Sequence, residues 1–146
     1  MHFTKLHGAG NDYLAIDGRA LERDWATVTR HITDRHFGVG SDGVVVVASS
    51  QVAAIRMRVF NPDGSEAEMS GDGIRCFAKY VLDRGLVKVE KGVLQVETGN
   101  GVRPVIPILE QGRVVRARVD MGRPRLRPEE EPWSCPRAAT CEAPST

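Results

Sequence analysis

The sequence has 146 residues, enough for one domain with a real core and too few for two ordinary ones. With 41% hydrophobic and 27% charged residues it reads as soluble and globular, and a net charge of +1 points to neither nucleic acid nor an acidic membrane surface. No apolar run is long enough to span a bilayer, the opening "MHFTKLHGAG" is too polar for a signal sequence, and three cysteines without C-x-x-C argue against a disulfide framework, so a reducing cytoplasm is the expected setting.

In chain order, "HGAGNDY" (7–13) comes first and sets Asn11 and Asp12 after two glycines. An asparagine has donors and acceptors enough to orient an amino acid's carboxylate and ammonium, and it equally suits a turn bonded to its own backbone. "YLAID" (13–17) is predicted as a strand. "DWATVTRHITDRH" (24–36) is predicted as a helix capped by Asp24, with Trp25, Val28 and Ile32 recurring at helical spacing. "GVGSDG" (38–43) matches Gly-x-Gly-x-x-Gly, but a dinucleotide fingerprint must follow a strand and open a helix. Here it follows a helix and opens the β-branched run "VVVVAS" (44–49), so it is a ligand-facing loop or a tight turn. In "AIRMRVFN" (54–61), Ile55, Met57 and Val59 alternate with Arg56 and Arg58, the pattern of a half-buried strand, and "NPDGS" (61–65) reads as a turn.

The stretch "SGDGIRCFAKYVLDRG" (70–85) is the most informative. On a helical wheel Asp72, Arg75, Lys79 and Asp83 share one narrow stripe, while apolar residues fill roughly three quarters of the circumference. Such a helix should be surrounded, most simply by a sheet curling around it, with Ser70 as N-cap and Gly85 as stop. A helix N-terminus carries unpaired N–H groups and partial positive charge, and flanking glycines let a carboxylate or phosphate approach the backbone. A tight capped turn would use the same residues.

Residues 92–122 read as three strands joined by turns at Asn100-Gly101 and Gln111-Gly112. Pro104 and Pro107 suggest an edge or a bulge, and Val115, Ala117 and Val119 alternate with Arg116 and Arg118, as in a strand with one buried face. Residues 123–146, rich in Pro, Ala, Ser and charge, read as a linker or tail beyond a lobe spanning 1–122. His2, His7, His31 and His36 show no metal-ligand spacing, Cys76 falls on the buried side of the helix, and Cys135 and Cys141 fall in the tail.

The order of these motifs is more specific than any one of them. "KLHGAGNDYL", "RHFGVGSDG", "VFNPDGSEAEMSGDGIRCFAKYV" and "VDMGRPRL" together resemble diaminopimelate epimerase over roughly residues 1–133. The resemblance implies an α+β lobe, a mixed β-sheet curled around a central α-helix, and the N-terminal one of two similar lobes flanking a cleft. It further implies an isomerase of lysine and peptidoglycan biosynthesis that interconverts LL- and meso-diaminopimelate without pyridoxal phosphate or metal. One cysteine from each lobe would flank the α-carbon, one taking a proton and the other delivering one. By position, Asn11 and Asn61 resemble substrate-binding residues, and Gly71, Asp72 and Gly73 the backbone cradle for the α-carboxylate.

Two residues depart from the family's Cys-Gly-Asn-Gly. Ser70 stands at the position of the catalytic cysteine. A thiol ionises near ~8.5 and a hydroxyl nearer ~15.7, a gap worth roughly 10 kcal/mol, so an unaided Ser70 is a very poor base. Cys76 lies six residues further on and faces another side. Asp72 puts an acid where a substrate carboxylate would dock. The expectation is therefore an epimerase lobe inactive alone, its small amino-acid substrate shared with a missing C-terminal lobe or with a second copy in a homodimer. The alternatives are a non-catalytic amino-acid-binding module and a cysteine-free isomerase using Asp72 as base, as in the related phenazine-biosynthesis isomerases.

Overall fold

The computed structural model describes residues 1–122. Alternation of inward and outward residues builds one mixed sheet from β1 (Thr4–Gly8), β2 (Asn11–Asp17), β3 (Gly43–Ala48), β4 (Ile55–Phe60), β5 (Glu66–Ala67), β6 (Leu94–Thr98), β7 (Gly101–Glu110) and β8 (Arg113–Val119). The order is β1-β2-β3-β4-β6-β7-β8, with β5 paired to β4. β2–β3 and β4–β6 are parallel and the remaining pairs antiparallel. Two helices complete the fold, α1 (Trp25–Ile32) and α2 (Gly71–Asp83). The α+β lobe expected from the sequence is what forms. No helix of the described residues is long and apolar enough to cross a membrane.

The run of four valines is buried on both faces because each face meets a different helix. Val44 and Val46 pack with Leu14, Ile16, Phe60 and Trp25, the layer under α1. Val45 and Val47 join Ala15, Met57, Val59, Leu94, Val96 and Val105 around Ile74, Phe77, Ala78 and Val81 of α2. The sheet curls around α2, which touches β1, β2, β3, β4, β7 and β8. Its charged stripe falls in the seam between the edge strands β1 and β8. There Lys79 Nζ donates to the Val114 carbonyl (2.6 Å), and Asp83 Oδ1 accepts from the Val114 N–H (2.8 Å). Charged side chains of the helix thus satisfy an edge strand that no further strand covers among the described residues.

Four local expectations are corrected. The first helix ends at Ile32 rather than near residue 36, because Thr33 closes it and the Asp34 carboxylate accepts the N–H groups of His36 and Phe37, both at 2.7 Å. Such a local turn competes with helix extension. The β6–β7 loop is Gly99-Asn100, since Thr98 pairs with Gly101, and Gly101 follows with φ +81°. β7 is interior rather than an edge, although the bulge expected as the other possibility does interrupt its pairing with β8 at Ile108/Leu109. Its register with β6 covers 101–105 and that with β8 covers 105–110, so Pro104 and Pro107 each face a single partner strand and the missing N–H is tolerated. Finally, Val115 is 46% exposed and Val114 is buried. Ile108 pairs with Arg116 and Leu109 with Val114, so Val115 is the extra residue of a β-bulge, which reverses the alternation beyond it. The expected linker 123–146, with Cys135 and Cys141, lies outside the described residues.

Candidate active site

The start of α2 is the focus of the site. Ser70 has an extended backbone (φ −140°, ψ 123°), and its Oγ accepts the Gly73 N–H at 3.0 Å, while its carbonyl accepts from Ile74 N at 2.9 Å. A Cβ on Gly73 would lie 3.0 Å from that Oγ, so glycine at this position lets the cap close. The N–H groups of Gly71 and Asp72 have no acceptor among the described residues and sit at the positive end of the helix.

Asn11, Ser70, Gly71, Asp72 and Gly73 are brought together from two distant segments. A tight turn at Ala9 (φ 52°) and Gly10 (φ 99°) reverses the chain between β1 and β2, and Asn11 is the first residue after it. From there Asn11 Nδ2 donates to Asp72 Oδ2 at 2.9 Å. The other oxygen of Asp72 is paired with Arg75, one turn along the helix, so the acid at the helix entrance is partly neutralised by its neighbour.

Two residues without a role in the sequence reading also belong here. Tyr13, 7% exposed, reaches Ser70 through its hydroxyl, with Oη and Oγ 2.9 Å apart. A tyrosine inside an apolar strand was the available signal, because a buried phenol requires a partner. Arg35 lies at the rim. It donates to Asp12 (2.7 Å) and Asp42 (2.8 Å), while Lys5 Nζ lies 3.0 Å from Asp12. The Asp12 and Asp42 carboxylates also accept each other's backbone N–H. The Arg35 guanidinium, aided by Lys5 and the Asp42 side chain against the opposing effect of burial, holds the Asp12 carboxyl well below the usual carboxylate range. This network clamps the beginning of β3 to β2 beside Asn11.

Asn61 keeps its polar contacts within its own turn. Its Nδ2 donates to Ser65 Oγ (3.0 Å) and its N–H to the Ser65 carbonyl (2.9 Å). Beside the helix entrance, a cavity of about 350 Å³ opens along the β1–β8 seam, lined by Gly8, Arg75, Cys76, Lys79 and Ala117 among others. Cys76 is a free thiol there, 4% exposed. Burial, reinforced by the Asp72 charge, pushes it up to about 11, which removes it as a ready base. Among the described residues no three His, Cys, Asp or Glu side chains are grouped to hold a metal ion.

Comparison with known proteins gives this geometry a family setting. The family described as diaminopimelate epimerase matches residues 3–127. The diaminopimelate epimerase of Pelotomaculum thermopropionicum is 48% identical over 139 residues, covering 93% of this chain and 49% of that protein. The chain therefore spans about half the length of such relatives. Among solved structures, a Bacillus anthracis phenazine biosynthesis protein of the PhzF family superposes with TM-score 0.57 at 28% identity, over 77% of this chain and 36% of that one. A probable proline racemase from Agrobacterium radiobacter K84 superposes with TM-score 0.66 at 17% identity, over 80% of this chain and 40% of that one, a likeness of fold alone.

Proposed function

The chain belongs to the diaminopimelate epimerase family, and we propose that it forms the N-terminal lobe of a cofactor-independent epimerase acting on diaminopimelate in the cytoplasm. The observation that carries this reading is the start of α2. Two N–H groups without acceptors among the described residues, at glycine-flanked positions on a dipole's positive end, lie beside Asn11 and Ser70. An α-carboxylate docked on Gly71 and Asp72 N–H would be stabilised most as the α-carbon gives up its proton and charge spreads onto the carboxylate. In this reading Asn11 and Asn61 would complete the substrate-binding set, Asn61 by turning from Ser65, Asp72 and Gly73 would contribute backbone rather than charge, and Ser70 would face the α-carbon in place of the family's thiol.

Inversion needs a proton removed from one face and delivered to the other. This lobe offers groups for one face, and a second lobe or a second copy of the chain would offer those for the opposite face. Asp72 is a weak candidate for the base, because Arg75 and Asn11 already engage both its oxygens.

The test follows exchange of the α-hydrogen of LL-diaminopimelate in D2O, comparing the full chain with Ser70→Cys. Restoring the thiol should speed exchange by a factor of at least 10³, with little or no meso product from this lobe alone. If Ser70→Cys neither exchanges the hydrogen nor binds diaminopimelate by calorimetry, the proposed activity is wrong. Binding without exchange in either form would favour an amino-acid-binding module instead.

A further inference from the structure

Resting on the activity proposed above, we infer that Tyr13 is a positioning and proton-relay residue for Ser70, the buried phenol supplying the acidity that an isolated serine lacks. The hydrogen inventory of Ser70 Oγ is the starting point. A serine hydroxyl has one proton and two acceptor lone pairs. The Gly73 N–H occupies one lone pair at 3.0 Å, and the Tyr13 hydroxyl stands 2.9 Å away. If Tyr13 donates to Ser70, the serine proton is left to point towards the mouth of the site. If Ser70 donates to Tyr13, a lone pair points there instead. The same oxygen thus presents a donor or an acceptor to a substrate, according to which way one hydrogen bond runs.

The phenol is held rigidly for this task. Tyr13 pairs with Gly43 across β2 and β3, and a Cβ on Gly43 would lie 2.7 Å from the Phe60 carbonyl oxygen and 3.1 Å from the Tyr13 ring, so glycine there lets β4 and the ring close in together. The ring belongs to the core around α2 with Val45, Ile74 and Phe77. Three segments each contribute one part: the strand after the first turn brings the phenol, the first residue of β3 leaves room for it, and the helix start brings the hydroxyl.

The gain comes from where the negative charge rests. A phenol is a stronger acid than an alcohol, because the ring delocalises the charge, so a relay ending on a phenol forms its anion more readily than an isolated serine would. In the donating direction the Ser70 O–H bond breaks, and its proton forms a C–H bond with the electron pair of the substrate carbanion. The Tyr13 O–H proton moves to Ser70 Oγ, and the charge is left as a phenolate. Removal of the α-proton is the reverse, with Ser70 taking the proton as it returns its own to the phenolate. Charge is conserved, and no further reactant enters.

The experiment measures wash-out of an α-tritium label from diaminopimelate by the full chain, Tyr13→Phe, Ser70→Cys and the double variant. Tyr13→Phe should slow wash-out at least 100-fold in the Ser70 chain and about 5-fold or less in the Ser70→Cys chain, whose thiol is its own acid. An equal cost in both backgrounds would mean that Tyr13 only packs, and the relay would be wrong. Wash-out by Ser70→Cys but none by the parent chain would also overturn the relay while leaving the family activity standing. No wash-out and no binding in any variant would sink that activity and the relay together. A proton inventory on the parent chain in mixed H2O and D2O needs no variant. Two protons in flight curve it, and a straight line overturns the relay.

Discussion

The side-chain amide of Asn11 donates to the carboxylate of Asp72 at 2.9 Å, joining residues 61 apart in sequence at the mouth of one helix. This contact and the Arg75 pair fix the orientation of Asp72. In Asp72→Asn the amide oxygen would still accept from Asn11, while the charge facing a docking carboxylate disappears. Calorimetry should show diaminopimelate binding tightened by about fivefold to tenfold, the size of one partly screened charge contact. Since the Asp72–Arg75 pair is partly exposed, stability should change by less than ~1 kcal/mol. Weaker binding by Asp72→Asn would show that the acid assists the site.

Ser70 is also a structural residue. Its hydroxyl caps Gly73 N–H, and Ser70→Ala removes that acceptor and the partner of Tyr13. Urea unfolding should show a loss of about 0.5–2 kcal/mol, the usual range for a lost N-cap. An unchanged midpoint would mean that water replaces the cap without cost.

The ion pairs at the β2–β3 junction should make the fold sensitive to acid. With its carboxyl held low in the folded state by Arg35, Asp12 binds fewer protons there than in the unfolded chain. Its contribution is present above the unfolded value, near ~3.9, and is lost as pH falls below that towards the depressed folded one. Urea midpoints measured between pH 5 and pH 2 should fall more steeply for the parent chain than for Arg35→Met.

Cys76 should be inert in the native protein. With its thiol pushed up to about 11 by burial and by Asp72, its thiolate fraction near pH 8 should be at least ~100-fold below that of an ordinary thiol. Peptide mapping after brief alkylation should find Cys76 unmodified in the folded chain and modified in urea. The same shift predicts stability falling as pH rises from about 8.5 towards 11, because only the unfolded thiol loses its proton there.

The seam of the curled sheet rests on a small polar clamp. Asp83→Ala strips the Val114 N–H of its acceptor and Lys79 of its 2.8 Å partner. A loss of about 1–3 kcal/mol is expected, as for an edge donor left half-buried and unpaired. Hydrogen exchange at the Val114 amide should accelerate with it, and an unchanged rate would show that another group takes over.

Much of the fold was legible in local pattern. The four valines of β3, the alternation in β4, the Asp24 and Ser70 caps and the broad apolar face of α2 are each written within a dozen residues. Misreadings arose where a neighbour from elsewhere set the local rule. The bulge at Val115 depends on the register with β7, and the tolerance of Pro104 and Pro107 depends on two strands that overlap only at Val105. The end of α1 was lost to a side chain, Asp34, competing for backbone N–H groups.

By itself the sequence determined that a helix start with glycines, a cap and unpaired N–H groups would lie inside a curled sheet, because propensity, capping and hydrophobic period act over one or two turns. It also set Ser70 and Asp72 in that start. Tertiary structure alone decided what those two residues face. The Tyr13 hydroxyl comes from 57 positions away to meet Ser70, and Asn11 from 61 to meet Asp72. A hydroxyl's chemistry depends on the two or three groups within hydrogen-bond reach, and here sheet register and curl choose those groups.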